Sequence, residues 1–337
     1  KYIKPSAFSY IINPFIDSSF YIAGKNRMSV FCYKYYIIDH GVNLKLPGRK
    51  ERLYLSNVEA DSVLKEVKIK PYYGRYILCL TLESENFAAD NTDMPNICAI
   101  DFGVSNFAAV VCNDGSSMLY KGGAVLSECQ WFHKKRAKAV SIITKGHEHM
   151  HANSRYLSAL SRHHADFIKD QCHKISRSII NYCMEHHAGT LVLGENKRWK
   201  QDCDMGSQNN QNFVSMPTGL LKQMIIYKAS DAGIKTIMQE ESYTSQADIT
   251  AMDYIPVYGV DAENTVFSGR RISRSLYRCF NGMIINADCN GAANIMRKAI
   301  TDAWNSITDF SFLASPEVSG FHELNPLSIS VKGIAAA

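Results

Sequence analysis

Five carboxylates in this sequence stand where apolar runs end. Asp101 closes "ICAI" and opens onto a turn built from Gly103, Ser105 and Asn106, after which "FAAVV" begins a second apolar run. Glu195 ends "GTLVLGE", Glu240 and Glu241 end "IKTIMQEE", and Asp288 follows "GMIINA". A carboxylate in such a place is costly to bury alone, so each is either ion-paired or a ligand for a cation or phosphate. Neighbouring strand ends converge in a mixed sheet, which lets carboxylates distant in sequence meet at one point. Asp101, Asp288 and one of Glu195 or Glu241 make such a set. Three carboxylates close together repel unless divalent cations neutralise them, and that is the arrangement a two-metal phosphodiesterase needs. One ion activates the attacking water and the other steadies the leaving oxygen.

The elements that must position these groups are legible from periodicity. Residues 97–111 read as a hairpin of two buried strands with Asp101 at its mouth. From 127 to 188 there are few breakers, and Ile168, Cys172, Ile175, Ile179 and Cys183 advance by three or four, which predicts two helices joined near "TKGHEHMHANS". His147, His149 and His151 in that joint read as a solvated turn, with a metal site as the lesser alternative. "GTLVLGEN" predicts a short buried strand, Pro217 to about Ala232 a helix, "IKTIMQEES" a strand, and "NADCNGAANIMRKAI" a helix rich in small residues. Residues 1–96 are rich in aromatic and β-branched runs separated by Gly, Pro and Asn, and predict a small β domain ending in the polar stretch before residue 96.

Composition narrows the class. The chain has 337 residues, 46% of them hydrophobic, enough for one large domain and a smaller one. No run approaches the roughly 18 apolar residues of a membrane span, and the start lacks the order of a secretory signal, so the expectation is a soluble, cytoplasmic protein without a membrane partner. The chain begins at Lys1, which points to an upstream part outside this sequence. Ten cysteines are scattered with no C-x-x-C pair, so reduced core cysteines are expected. Net charge is only +5, yet residues 121–200 hold 14 Lys and Arg against 6 Asp and Glu. That bias favours a polyanion, with a solvated helix face as the plainer reading.

Six blocks together resemble one family: "DFGVSN" (101–106), "LVLGENKRWKQ" (191–201), "NNQNFVSMP" (209–217), "EESYTSQA" (240–247), "FSGRRISRSLYR" (267–278) and "INADCNGAANI" (285–295). In this order they look like the RuvC nuclease region of the TnpB family, transposon-encoded relatives of type V CRISPR effectors. The resemblance covers about residues 97–300, and more loosely the preceding sheet, which is similar to the family's wedge domain. It implies an α/β fold, an RNase H-like (RuvC) nuclease domain with a helical insertion at about 127–188, preceded by a wedge-like β domain over 1–96 and followed by a C-terminal tail over 301–337. It also implies cleavage of target DNA directed by a guide RNA, with two Mg2+ ions held by Asp101, Glu195 and Asp288. Glu195 is preferred as the middle carboxylate because it ends the cleaner buried strand. Glu241, three residues before the Thr-Ser pair, is the alternative, as in the rearranged form of the site. Nucleic-acid contacts are expected from Lys134, Lys135, Arg136, Lys197, Arg198, Lys200, Arg270, Arg271 and Arg274.

The sequence departs from the family where paired cysteines of a zinc ribbon would follow "YTSQ". It reads "TSQADITAMDYIPVY" instead, and only Cys279 and Cys289 lie beyond, at unsuitable spacing. The expectation is a metal-free loop over about 243–284, without zinc, that supplies arginines to the substrate. Fewer residues precede the nuclease region than the wedge and helical recognition parts of the family need. A nuclease-inactive, RNA-guided DNA-binding repressor is the competing function, but such a protein would be expected to lose acidic residues that this chain keeps. An actin-like ATPase also starts with an Asp-x-Gly hairpin, but it needs a later glycine-rich phosphate turn that is absent here.

Overall fold

A computed structural model describes residues 6–12, 28–30, 35–38, 41–45, 52–56, 63–83, 91–146, 154–195, 216–257 and 265–325. His147, His149, His151, Lys197, Arg198 and Lys200 lie outside the described residues. Contacts divide the chain into two units, Lys1–Phe87 with Arg136–His163, and Ala88–Lys135 with His164–Ala337.

The first unit contains two antiparallel sheets. One has the order β1-β7-β6-β2, from β1 (Ser6–Ile12), β2 (Met28–Val30), β6 (Val63–Tyr72) and β7 (Arg75–Glu83). The other joins β3 (Tyr35–Ile38), β4 (Gly41–Lys45) and β5 (Arg52–Ser56) in sequence order. The turn between β6 and β7 places Tyr73 at φ 44° and Gly74 at φ 78°. Two successive left-handed residues make the tight turn whose twist suits a hairpin.

The second unit is built on one six-stranded mixed sheet. Its strands are β8 (Asn96–Asp101), β9 (Asn106–Cys112), β10 (Ser116–Lys121), β11 (Ala188–Glu195), β12 (Lys235–Glu240) and β16 (Glu317–Ser319), in the order β12-β11-β8-β9-β10-β16. Only β9 runs against its neighbours; the β12–β11, β11–β8 and β10–β16 pairs are parallel. Both faces are covered. Cys98, Ile100, Leu191 and Leu193 face a core shared with α1 (Gly123–Ile143), α2 (Arg155–Glu185) and α3 (Thr218–Asp231). Ala99 and Val192 face a second core formed with α4 (Ala287–Ala299) and with Trp304, Phe310 and Leu313. Ile168, Cys172, Ile175, Ile179 and Cys183 are all buried, so the spacing read from the sequence is the inner stripe of α2.

Three expectations about extent differ from what is observed. Contacts divide at 87/88 rather than near 96, because Asn91 is already tied to the second unit: its side-chain amide donates to Ala232 O at 2.7 Å. Residues 301–325 are not a trailing tail. β16 pairs with the edge strand β10, and Trp304 Nε1 donates to Ala293 O at 3.1 Å, so this stretch closes one sheet edge and one core. Residues 243–284 are also more than a loop. They hold β13 (Arg270–Arg271) and β14 (Leu276–Arg278), which pair with β15 (Ile284–Asn286) in a small antiparallel sheet.

Side-chain hydrogen bonds hold this stretch against α4. Asp248 is fully buried, accepts from Thr250 N (2.9 Å) and Thr250 Oγ1 (2.8 Å) on one oxygen and from Phe280 N (2.6 Å) on the other. Asn290 and Asn294 of α4 donate to Ala247 O at 2.8 and 2.7 Å, and Tyr277 OH donates to Gln246 O at 2.7 Å. A buried carboxylate whose oxygens both accept hydrogen bonds is compatible with the interior.

Candidate active site

The period of two along a strand decides which carboxylates share a face. On β8, Ala99 faces the α4 side and Ile100 the α2 side, so Asp101 faces α4. On β11, Val192 faces α4 and Leu193 faces α2, so Gly194 faces α4 and Glu195 faces the other way. On β12, Ile237 packs on the α4 side, and Glu241, just past the strand end, continues that parity. Asp288 sits in the first turn of α4 itself. The structure therefore brings Asp101, Glu241 and Asp288 to one face, with Glu195 on the opposite one.

Two glycines make room for this cluster. A Cβ at Gly291 would lie 2.7 Å from Asp101 Oδ2, and one at Gly194 would lie 2.7 Å from Glu241 Oε2. The Asp101 carboxyl is thus packed against bare helix backbone, and the Glu241 carboxyl against bare strand backbone. Burial first, then the charges of Glu241 and Asp288, push the Asp101 carboxyl well above its usual range, against the pull of Arg271 and Lys222. Such a shift marks a carboxylate cluster that side-chain cations neutralise only in part.

Asp288 is held at both oxygens. Asn106 Nδ2 donates to its Oδ2 at 2.7 Å, and Lys121 Nζ donates to Asn106 Oδ1 at 2.9 Å. Arg271 Nη2 donates to its Oδ1 at 3.0 Å and also to Arg274 O at 2.6 Å. The helix supports this carboxylate too, because Asn286 caps α4 by accepting from Asp288 N at 3.0 Å and Cys289 N at 3.1 Å, and an acidic group in a first turn suits the helix dipole. Lys222 of α3 donates to Gly194 O and lies 4.7 Å above the Phe102 ring. Its ammonium is drawn by Glu241, Glu195 and Asp101 while burial opposes its charge. Glu240 is taken up by Lys298 Nζ at 2.7 Å and Ser242 N at 2.6 Å.

The carboxylate-only donor set, all hard oxygens, has the chemistry of a magnesium site. Among the described residues no three His, Cys, Asp or Glu side chains are gathered for one ion in this arrangement, in which Arg271 occupies Asp288. Of the expected nucleic-acid residues, Lys134, Lys135 and Arg136 are exposed on α1, and Arg270, Arg271 and Arg274 are exposed on and beside β13. Only Arg271 of these reaches a carboxylate of the cluster. Sequence reasoning missed Asn106, Lys222, Gly194 and Gly291 as parts of the site. Asn106, Gly194 and Gly291 lie inside the six blocks, but nothing in their spacing says what they touch.

Gly291→Ala gives a direct test of this packing. Alanine favours a helix interior over glycine by roughly 0.5–1 kcal/mol, so the change should not unfold α4 on its own account. The added methyl must displace the Asp101 carboxylate. The expected result is divalent-ion affinity at the cluster reduced by about 10 to 100-fold, the scale of a disturbed ligand partner, with the circular dichroism spectrum retained.

Comparison with known proteins agrees with this architecture. The family described as "Probable transposase" (OrfB_IS605) matches residues 82–200, and "Cas12f1-like, TNB domain" matches residues 219–295. The chain is similar to proteins named TnpB-like and Cas12f. It is 32% identical over 132 residues to the CRISPR-associated endodeoxyribonuclease Cas12f1 of Sulfoacidibacillus thermotolerans, covering 39% of this chain and 27% of that one. It is 25% identical over 219 residues to the TnpB-like protein ORF457 of Acidianus two-tailed virus, covering 63% of this chain and 43% of that one. A solved Cas12f1–sgRNA–target DNA complex superposes with a TM-score of 0.50 at 15% identity, over 70% of this chain and 46% of that one, which speaks to the fold alone. The chain spans between about a quarter and under half of the length of those curated proteins. The Cas12f1-like match runs through the cysteine-free stretch from 243 to 278. Among the described residues, no helix is long and apolar enough to cross a membrane.

Proposed function

We propose that this chain carries the nuclease core of an RNA-guided DNA endonuclease of RNase H-like (RuvC) fold, with a wedge-like β domain before it, a guide RNA and a target DNA as partners, and magnesium as the required ion. The observation that carries the reading is the convergence of Asp101, Glu241 and Asp288 on the α4 face of a sheet in which only the second strand is reversed. The names of the relatives, an endodeoxyribonuclease and a TnpB-like protein, support the reaction class. The guide RNA and target DNA in the Cas12f1 complex are that protein's partners; the local excess of Lys and Arg over 121–200 supports the same classes here.

Asp101, Asp288 and Glu241 would hold the ions, with Glu241 in place of the Glu195 preferred from sequence. Bound there, Mg2+ supplies Lewis acidity to the phosphodiester and lowers the pKa of the attacking water. The protein's own contribution is placement. Asn106 fixes Asp288 by Oδ2, which leaves Oδ1 as the oxygen to be freed for an ion, and Arg271 is the group that must let go of it. An arginine released beside a nucleic acid finds phosphate oxygens, for which its guanidinium is well shaped. Lys222 tethers the end of β11 through Gly194 O and keeps the Gly194–Glu241 approach close.

The test begins with RNA that copurifies with the chain. Sequencing should return one transposon- or array-derived species, and the reconstituted complex should cut matching DNA only with Mg2+. Recovery of a defined guide with DNA bound but never cut would favour the repressor reading instead. Random RNA together with no target-dependent binding would overturn both.

A further inference from the structure

The first unit holds a basic cleft that the proposed chemistry does not use. It encloses about 560 Å3 between the β6–β7 turn and the start of α2, and is lined by Arg75, Arg155 and Arg162 together with Ser154 and Ser158. No carboxylate is among its lining residues. Three arginines line one space with no acidic residue among them, which gives the cleft a local excess of positive charge suited to an anion. Its walls are fixed in advance. Arg162 Nη1 donates to Tyr73 O at 3.1 Å, Ser154 Oγ accepts from Leu157 N at 3.1 Å, and the turn at Gly74 sits close to Ser158, where a Cβ would meet the serine Cβ at 3.5 Å.

The aromatic neighbours say what kind of anion. Tyr73, in the wall, is 45% exposed, and Tyr156, next to Arg155, is 56% exposed. Guanidiniums that take phosphates, alternating with exposed rings on which bases stack, form the recurring platform for an unpaired nucleic-acid strand. A free phosphate or a small acid has no use for the rings. We propose that this cleft seats two successive phosphodiesters of a single-stranded nucleic-acid segment, one at Arg75 and one at Arg155, with Tyr73 as a stacking surface. The inference deepens the proposed function and rests on it only for which strand, guide RNA or displaced DNA, lies there.

The experiment measures binding of the full chain to a 20-nucleotide single-stranded RNA, and to DNA of the same sequence, as a function of salt. Each lost phosphate contact on a single strand should flatten the slope of log K against log salt by about 0.7, so Arg75→Gln with Arg155→Gln should flatten it by about 1.4. Affinity at low salt should drop at least about tenfold. Arg75→Lys with Arg155→Lys keeps the charge and should keep the slope. Arg162 is left intact because it braces the turn. Should the double Gln variant melt early, Arg155→Gln alone, at an exposed position, should still flatten the slope by about 0.7. Loss confined to RNA assigns the guide, loss confined to DNA assigns the DNA strand, and loss of both assigns any single strand. An unchanged slope and affinity for both overturns the proposal. Failure of the nuclease reading would appear separately, as a reconstituted complex that never cuts matching DNA while oligonucleotide binding still depends on Arg75 and Arg155.

Discussion

Glu241→Gln is expected to remove target-DNA cleavage while leaving nucleic-acid binding close to wild type. The amide keeps the volume of the side chain beside Gly194 but takes away the charge that acts most strongly on Asp101 among the neighbouring carboxylates. A cation site short of one carboxylate binds its ion more weakly and holds the attacking water less well. The loss should exceed the roughly 10 to 100-fold that follows removal of an outer partner. Glu195→Gln should stay within that range, because strand parity puts Glu195 on the side of Leu191 and Leu193 and its charge is not among those that shift Asp101. Both variants are to be assayed on one guide and one target at saturating Mg2+. A dead Glu195→Gln with an active Glu241→Gln would reverse the assignment.

Asp101→Asn should also end cleavage, and it carries a second signature in stability. In the metal-free protein, Asp101 is a buried carboxylate facing two others, a net cost to the folded state. The amide keeps its shape and removes that cost. The metal-free variant should therefore melt higher than the wild type, by about 2–4 °C for each kcal/mol relieved in a domain of this size. Mg2+ should raise the melting temperature of the wild type by binding the native state, and should leave the variant nearly unmoved. A purely structural Asp101, ion-paired to Arg271, predicts the opposite: a lower melting temperature on substitution and no role for Mg2+. Differential scanning calorimetry with and without Mg2+ separates the two.

Asp288 behaves differently because it is already paired. Asn106 and Arg271 each hold one of its oxygens, whereas Asp101 is pushed well above its usual range by burial and by its carboxylate neighbours. Its partner Arg271 comes from β13, and hydrogen bonds involving Asp248, Asn290 and Asn294 hold the neighbouring stretch against α4, next to the cluster.

The sequence by itself determined the elements and the candidates. The three-and-four spacing from Ile168 to Cys183 specifies an α-helical stripe, the apolar runs before Asp101 and Glu195 specify buried strands, and six ordered blocks specify the family resemblance. These are local signals, set by side-chain periodicity and backbone preference. Which face each carboxylate occupies was decided only by the tertiary structure. β9 is buried at every position, and β8 and β11 are packed on both sides, so they show no alternation of polar and apolar residues from which to read inside and outside. The cleaner apolar run before Glu195 favoured it over Glu241 as a strand end, and nothing in either run told which face each would occupy. The same holds for Gly194 and Gly291, whose missing side chains matter only because a carboxylate from another strand lies within 2.7 Å of where each Cβ would be. It holds as well for residues 301–325, whose short β16 has no partner in its own neighbourhood and becomes a strand by pairing with β10, nearly two hundred residues away.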